Sequence, residues 1–111
     1  MHELAGERIL MRIHVNEGQK HEGKYVYDAV IKLLRKEQLA GATMFRGSMS
    51  FGPDRVLHSD RIEVLSFDLP IVIECVDEEE KIRKVLPALD EIIGGGVITL
   101  ERADVILYRT D

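Results

Sequence analysis

The chain has 111 residues and a mass of 12.6 kDa, the usual size of a single domain, so we expect residues 1–111 to share one core. Its 45% hydrophobic and 32% charged residues exclude global disorder. A net charge of -5 leaves no positive field for a phosphate backbone, so no nucleic-acid partner is expected. The single cysteine, Cys75, excludes an intrachain disulfide. Because the N-terminal residues resemble neither a signal peptide nor a membrane span, we expect a cytoplasmic protein.

The first half of the chain is patterned as strand, helix and strand. Residues 7–15 alternate apolar and polar side chains, which predicts a strand with Ile9 and Ile13 on one face. Residues 26–39 carry apolar side chains at helical spacing, and Gly41 is available to end that helix. A second strand is predicted over 42–49, and the turn-rich segment 47–60 is predicted to be a mobile loop.

The second half repeats this order. Residues 62–76 are strand-like, and Pro70, which lacks an amide donor, is predicted to divide a hairpin arm from a central strand over 69–76. Asp77 is predicted to cap a helix with Glu80 at its third position, and the helix is expected to end at the glycines 94–96. Residues 97–108 are predicted to form the last strand.

Two β-α-β units predict an α+β, ferredoxin-like βαββαβ sandwich: a four-stranded antiparallel sheet with both helices on one face. The other face would carry Leu10, Arg12 and His14 from the first strand, Val72 and Glu74 from the third, and Ile106 and Tyr108 from the last. Because this face is too apolar to be simply solvated, we expect contacts between copies of the chain to cover it.

The sequence offers little catalytic chemistry. Its four histidines are too scattered to pair on one helix face, so no metal site is predicted. It has no nucleophile-elbow pattern, and Cys75 lies on a predicted central strand, where a thiol behaves as a small hydrophobic group. Since no acid–base pair emerges among the carboxylates, we expect a protein that is not an enzyme.

Three consecutive glycines and a late arginine favour anion binding. Gly94, Gly95 and Gly96 can present backbone amides to a ligand, whereas ending a helix accounts for only one or two glycines. Arg109 can pair with a phosphate through two hydrogen bonds, and an exposed terminal arginine without a function is the alternative.

The loop over 47–60, with the residue just before it, favours contact with a partner protein or closure over an anionic ligand. Its basic and aromatic side chains are Arg46, Phe51, Arg55 and His58. Simple flexibility is the competing explanation.

Three segments resemble a known family: GATMFRGSMSFG at 41–52, SFDLPIVIECVDEEEKI at 66–82 and LPALDEIIGGGVITLERADVIL at 86–107. They are similar to the PII-like uncharacterised family, domain of unknown function 190, which is related to PII signalling proteins. The resemblance covers nearly the whole chain, and its most specific part is the DLP sequence followed by a strand and VDEEEKI.

The resemblance implies a homotrimer that binds an adenine nucleotide in the clefts between protomers, with the loop over 47–60 contacting a regulated target. Related regulators often act on membrane proteins, which implies a transporter or channel as the target. The ligand-binding positions implied by the resemblance are Gly41, Thr43, Gly94, Gly95, Gly96 and Arg109.

Three positions depart from the PII pattern. Val97 stands where PII proteins have a phosphate-binding lysine, Gly95 replaces an aspartate, and Leu107 replaces an arginine. Because charge-assisted contacts would be missing, we expect AMP or ADP rather than a triphosphate.

The sequence therefore favours a regulatory protein that binds a small anionic effector. One alternative is a trimeric divalent-metal-tolerance protein of the same fold, which would use His14, His21 or His58. Another is a small enzyme with an active site between protomers.

Overall fold

The computed structural model describes residues 4–53, 57–59 and 68–110. Two helices, α1 (Val26–Lys36) and α2 (Glu79–Ile92), accompany a four-stranded antiparallel sheet of β1 (Gly6–Asn16), β4 (Thr43–Arg46), β7 (Pro70–Asp77) and β8 (Val97–Val105). The strand order is β4-β7-β1-β8. Two short hairpins complete the described fold: β2 (Lys20–His21) with β3 (Lys24–Tyr25), and β5 (Met49–Ser50) with β6 (His58–Ser59).

One face of the sheet forms the core with both helices, as the alternation of the strands predicted. In β1 and β7 every second side chain is buried, because successive side chains of a strand point to opposite faces. The helices add their apolar stripes. The buried residues of this cluster are Ile9, Met11, Ile13, Val15, Ile71, Ile73 and Cys75 from the strands and Val26, Val30, Leu34, Ile82, Val85 and Leu89 from the helices. The α+β, ferredoxin-like prediction is confirmed.

Several element boundaries differ from the predictions. Helix α1 ends at Lys36 rather than near residue 39, and Gln38, not Gly41, takes the positive φ of 60° after it. The N-cap position of α2 is occupied by Glu78 and not by Asp77, which is the last residue of β7 and is completely buried. The Asp77 carboxylate accepts hydrogen bonds from the amides of Glu78 (2.7 Å) and Ala40 (2.8 Å). A tertiary contact with the loop before β4 therefore fixes this carboxylate.

The segment around the predicted loop has more structure than the sequence suggested. Strand β4 stops at Arg46, and β5 then pairs with β6, so a short hairpin lies within 47–60. Gly47 marks the base of this segment, since its amide donates to the Pro70 carbonyl at 2.7 Å. The predicted hairpin arm before residue 69 falls mainly on residues 61–67, outside the described residues.

Neither α1 nor α2 covers the opposite face of the sheet, and the described residues form no other helix. Phe45 and Val97 lie at its two sides with 50% and 54% of their surface exposed. Arg12 lies at its centre and pairs with Glu74 (2.7 Å) and Glu101 on the neighbouring strands. We call this surface the open face. The sequence had also placed Ile106 and Tyr108 on it, but β8 ends at Val105, so both lie beyond the strand.

Candidate ligand-binding site

A cavity of about 630 Å³ lies where β1 ends and β8 begins, and we call it the glycine-loop pocket. Its walls come from the end of β1, the segment after β5, the start of β7 and the glycines before β8. Its lining residues are His14, Val15, Asn16, Gln19, Ser50, Phe51, Gly52, Pro53, Pro70, Ile71, Gly95, Gly96 and Val97. Because none of these is a lysine or arginine, backbone amides and neutral side chains would receive an anion here.

The fold requires only one of the three glycines. Gly96 has a φ of +144°, and a Cβ there would lie 2.3 Å from the His14 carbonyl oxygen. A side chain at that position is excluded by both backbone conformation and space. At Gly94 and Gly95, in contrast, a Cβ would meet nothing within 4 Å, and neither residue has a positive φ. The described fold therefore does not require glycine at positions 94 and 95.

Gln19 orients residues 94–96, which we call the glycine loop. The sequence analysis did not predict this role of Gln19. Its side-chain amide donates to the Gly95 carbonyl at 2.8 Å, while its side-chain oxygen accepts from the Asn16 amide at 3.4 Å. With its carbonyl engaged in this way, Gly95 is tied to the end of β1. No local pattern marks Gln19, which lies in a polar stretch that resembles any surface turn.

A second cavity, of about 490 Å³, lies at the other end of the sheet, and we call it the β4 pocket. It is lined by Leu4, Leu10, Ala40, Gly41, Ala42, Thr43, Glu74, Cys75, Val76, Val105, Leu107 and Tyr108. Side chains bond both backbone groups of Ala40: Asp77 accepts from its amide, and the Tyr108 hydroxyl donates to its carbonyl at 3.2 Å. These two bonds position the neighbouring Gly41 and Thr43.

The predicted ligand-binding residues thus divide into two groups. Gly95 and Gly96 line the glycine-loop pocket, with Gly94 just before them, whereas Gly41 and Thr43 line the β4 pocket. Arg109 is exposed and follows Tyr108 at the β4 end. No described residue lines both pockets. Along β1 they are about 13 Å apart, four residues at roughly 3.3 Å each. A single chain does not bring the two groups together.

The candidate partner-contact residues have different environments. Arg46 is the last residue of β4 and pairs with Glu17. Phe51 is 64% exposed and lines the glycine-loop pocket. The His58 backbone lies in β6, and Arg55 falls outside the described residues.

Other chemistries find little support in the described part of the chain. Burial, reinforced by the charge of Asp77, raises the pKa of the Cys75 thiol to about 12, which makes it a poor nucleophile. Residues 4–53, 57–59 and 68–110 contain no group of three or more His, Cys, Asp or Glu side chains placed to hold a metal ion. Neither helix described has the length and apolar content needed to cross a bilayer.

Comparison with known families decides the relationship. The model of the DUF190 family, described as Uncharacterized ACR, matches residues 8–105. The chain belongs to the DUF190 family. Among similar proteins is a UPF0166 protein of Methanocaldococcus jannaschii, 43% identical over 90% of this chain and 91% of that protein. A UPF0166 protein of Aquifex aeolicus is 37% identical over 87% and 91%.

The fold of this DUF190 chain has a counterpart among solved structures. CPII, a nitrogen regulatory PII-like protein from Thiomonas intermedia K12, was solved bound to ADP, AMP and bicarbonate. The two structures match with a TM-score of 0.70, covering 89% of this chain and 88% of CPII, at 16% sequence identity. The DUF190 chain therefore has a PII-like fold, and the resemblance inferred from its sequence is confirmed.

Proposed function

We propose that this DUF190 chain is a PII-like regulatory protein without catalytic activity, which assembles as a homotrimer and binds AMP or ADP in the clefts between copies. The division of the candidate ligand residues between two pockets is the observation that carries this proposal. Both pockets border the open face, since His14 and Val97 line one while Leu10 and Glu74 line the other. Pairing copies through this face unites the glycine-loop pocket of one chain with the β4 pocket of the next.

The chemistry of the two pockets is complementary. Amides of the glycine loop donate hydrogen bonds to the phosphate oxygens. Arg109 from a neighbouring copy adds a positive charge, since no described residue that lines the glycine-loop pocket is a lysine or arginine. Thr43 and the backbone beside it contact the adenine base. One arginine and a few amides suit one or two phosphates better than three, which supports AMP or ADP over ATP.

The loop over 47–60 is the proposed contact with a target, a membrane transporter or channel on the cytoplasmic side. Its described part exposes three large apolar side chains: Met49 is 49% exposed, Phe51 64% and Leu57 41%. Exposed apolar side chains that cluster in one segment are typical of protein-binding surfaces. Phe51 also lines the glycine-loop pocket, so a ligand there touches the loop directly.

Titration calorimetry with AMP, ADP, ATP and cyclic AMP, together with light scattering, tests the proposal. We expect a mass of three chains and binding of AMP or ADP. Arg109→Ala should weaken that binding about tenfold, the cost of a charge-assisted hydrogen bond, whereas Arg35→Ala, an exposed arginine in the last turn of α1, should leave it unchanged. A 12.6 kDa particle, or no heat with any nucleotide, would refute the proposal.

A further inference from the structure

The turn over residues 16–19 begins at the last residue of β1 and contacts three segments that are far apart in the chain. Glu17 forms an ion pair with Arg46, where β4 ends and the loop over 47–60 begins. The Gly18 amide donates to the Asp68 carboxylate at 2.9 Å, where the chain returns from that loop toward β7. Gln19 holds Gly95 of the glycine loop at 2.8 Å. We call residues 16–19 the junction turn.

The backbone reinforces these side-chain contacts. The Glu17 amide donates to the Leu69 carbonyl at 2.8 Å, so the junction turn is hydrogen-bonded to the returning chain at two successive residues. The Glu17 side chain is only 17% exposed, which shields its ion pair with Arg46 from full solvent screening. Gly18 has little freedom here, because a Cβ would lie 3.1 Å from an Asp68 carboxylate oxygen.

The junction turn also forms part of the ligand pocket. Asn16 and Gln19 line the glycine-loop pocket beside Gly95. A ligand that shifts Gly95 therefore changes the hydrogen bond to Gln19. Glu17 lies two residues from Gln19 in the same tight turn, so a rearrangement at one end of the turn reaches the other through a few backbone bonds.

We propose that the junction turn couples the glycine-loop pocket to the loop over 47–60, with Gln19 acting at the pocket and Glu17 at the base of the loop. Ligand occupancy then sets how firmly the loop is held where it leaves and rejoins the sheet. The regulatory meaning rests on the proposed function, although the physical coupling can be measured without a ligand. Because coupling is reciprocal, loosening the loop base must also loosen the glycine loop.

Amide hydrogen exchange by NMR on the full-length, ligand-free protein tests this coupling. One reporter is the Gly47 amide, which bonds to Pro70 at the loop base, and the others are the amides of residues 95–97. Gln19→Ala should speed exchange at Gly47 about threefold, and Glu17→Ala should speed exchange at residues 95–97 by a similar factor, as for the loss of one modest hydrogen bond. Glu37→Ala, an exposed carboxylate at the end of α1, is the control and should change neither.

The cross effects decide the outcome. The coupling is overturned if Gln19→Ala speeds amide exchange only at residues 95–97 and Glu17→Ala speeds it only at Gly47. In that case the exchange rate at the distant reporter would equal that of the wild type within experimental error. In the double variant, coupled sites should give an effect smaller than the product of the single effects. If the double variant speeds exchange at both reporters by the product of the two single effects, the junction turn does not connect the two sites.

A second arm uses ADP as the probe. Bound ADP should slow Gly47 exchange in the wild type, and Gln19→Ala should reduce that effect. Binding of ADP without any change at Gly47 overturns the coupling while leaving the proposed function intact. Absence of ADP binding overturns the proposed function, and the ligand-free cross effects still decide the coupling.

Discussion

The two neighbouring glycines Gly95 and Gly96 should respond in opposite ways to the same substitution. In Gly96→Ala, a φ of +144° costs an alanine about 1–3 kcal/mol. The new Cβ would also lie 2.3 Å from the His14 carbonyl oxygen, a distance that forces β1 and the glycine loop apart. We expect a total loss of about 3 kcal/mol of unfolding free energy, which corresponds to about 12 °C or more in Tm for a domain of this size.

Gly95→Ala is the matched variant. Its Cβ meets nothing within 4 Å and its backbone needs no positive φ, so the unfolding free energy should change by less than about 1 kcal/mol. The same Cβ projects from the loop that lines the ligand pocket, and ADP binding should weaken about tenfold as the phosphate is held away from the amides.

Urea unfolding followed by far-UV circular dichroism measures the stability of both variants, since the chain has no tryptophan, and calorimetry measures binding. A Gly96→Ala protein as stable as the wild type would refute the reasoning about the close approach to His14. A stable Gly95→Ala protein with unchanged ADP affinity would refute the assignment of this glycine to the ligand.

Three further outcomes are expected. Phe45→Glu on the open face should reduce the assembly to single chains by light scattering, whereas Tyr25→Glu, which alters a similarly exposed residue before α1, should preserve it. Asp77→Ala should cost about 2–3 kcal/mol in urea unfolding, because the Ala40 amide loses its buried acceptor. Because burial raises the pKa of the Cys75 thiol from 9.0 to about 12, the folded state is penalised only as pH rises above 9.0. Wild type should therefore lose about 1 kcal/mol more than Cys75→Ala between about pH 8.5 and about pH 10, and equal losses would contradict this.

The fold was predictable where one face of an element is buried. Met11 and Ile73 lie on strands whose alternation is visible in the sequence because the opposite face carries groups such as Arg12 and Glu74. The alternation of side chains did not predict where strands and helices end. Asp77 precedes three glutamates as a capping residue would, but it pairs with Ile9 as the last residue of β7, and its carboxylate accepts a hydrogen bond from Ala40, which is distant in sequence. Local spacing carries no information about such a contact.

The candidate site was predictable only in part. The three glycines are conspicuous in the sequence, yet the distinction between Gly96 and the other two depends on the approach of a strand that ends 80 residues earlier, at Asn16. Gln19 gave no signal, because a single hydrogen bond to a backbone carbonyl requires no motif. The hairpin of β5 and β6 was missed since strands of two residues are shorter than any alternation that a sequence can display.

Strand β1 has a mechanical consequence for the proposed assembly. It supplies Leu10 to one pocket and His14 to the other, and hydrogen bonds to β7 and β8 hold it on both sides. The spacing between the two pockets of a chain is therefore fixed, so in the proposed assembly a cleft would widen or narrow only when whole chains rotate against each other. In the proposed homotrimer each chain would contribute to two clefts, so occupation of one cleft would alter the next. We therefore expect that the clefts do not bind nucleotide independently, and that the binding curve departs from that of independent sites.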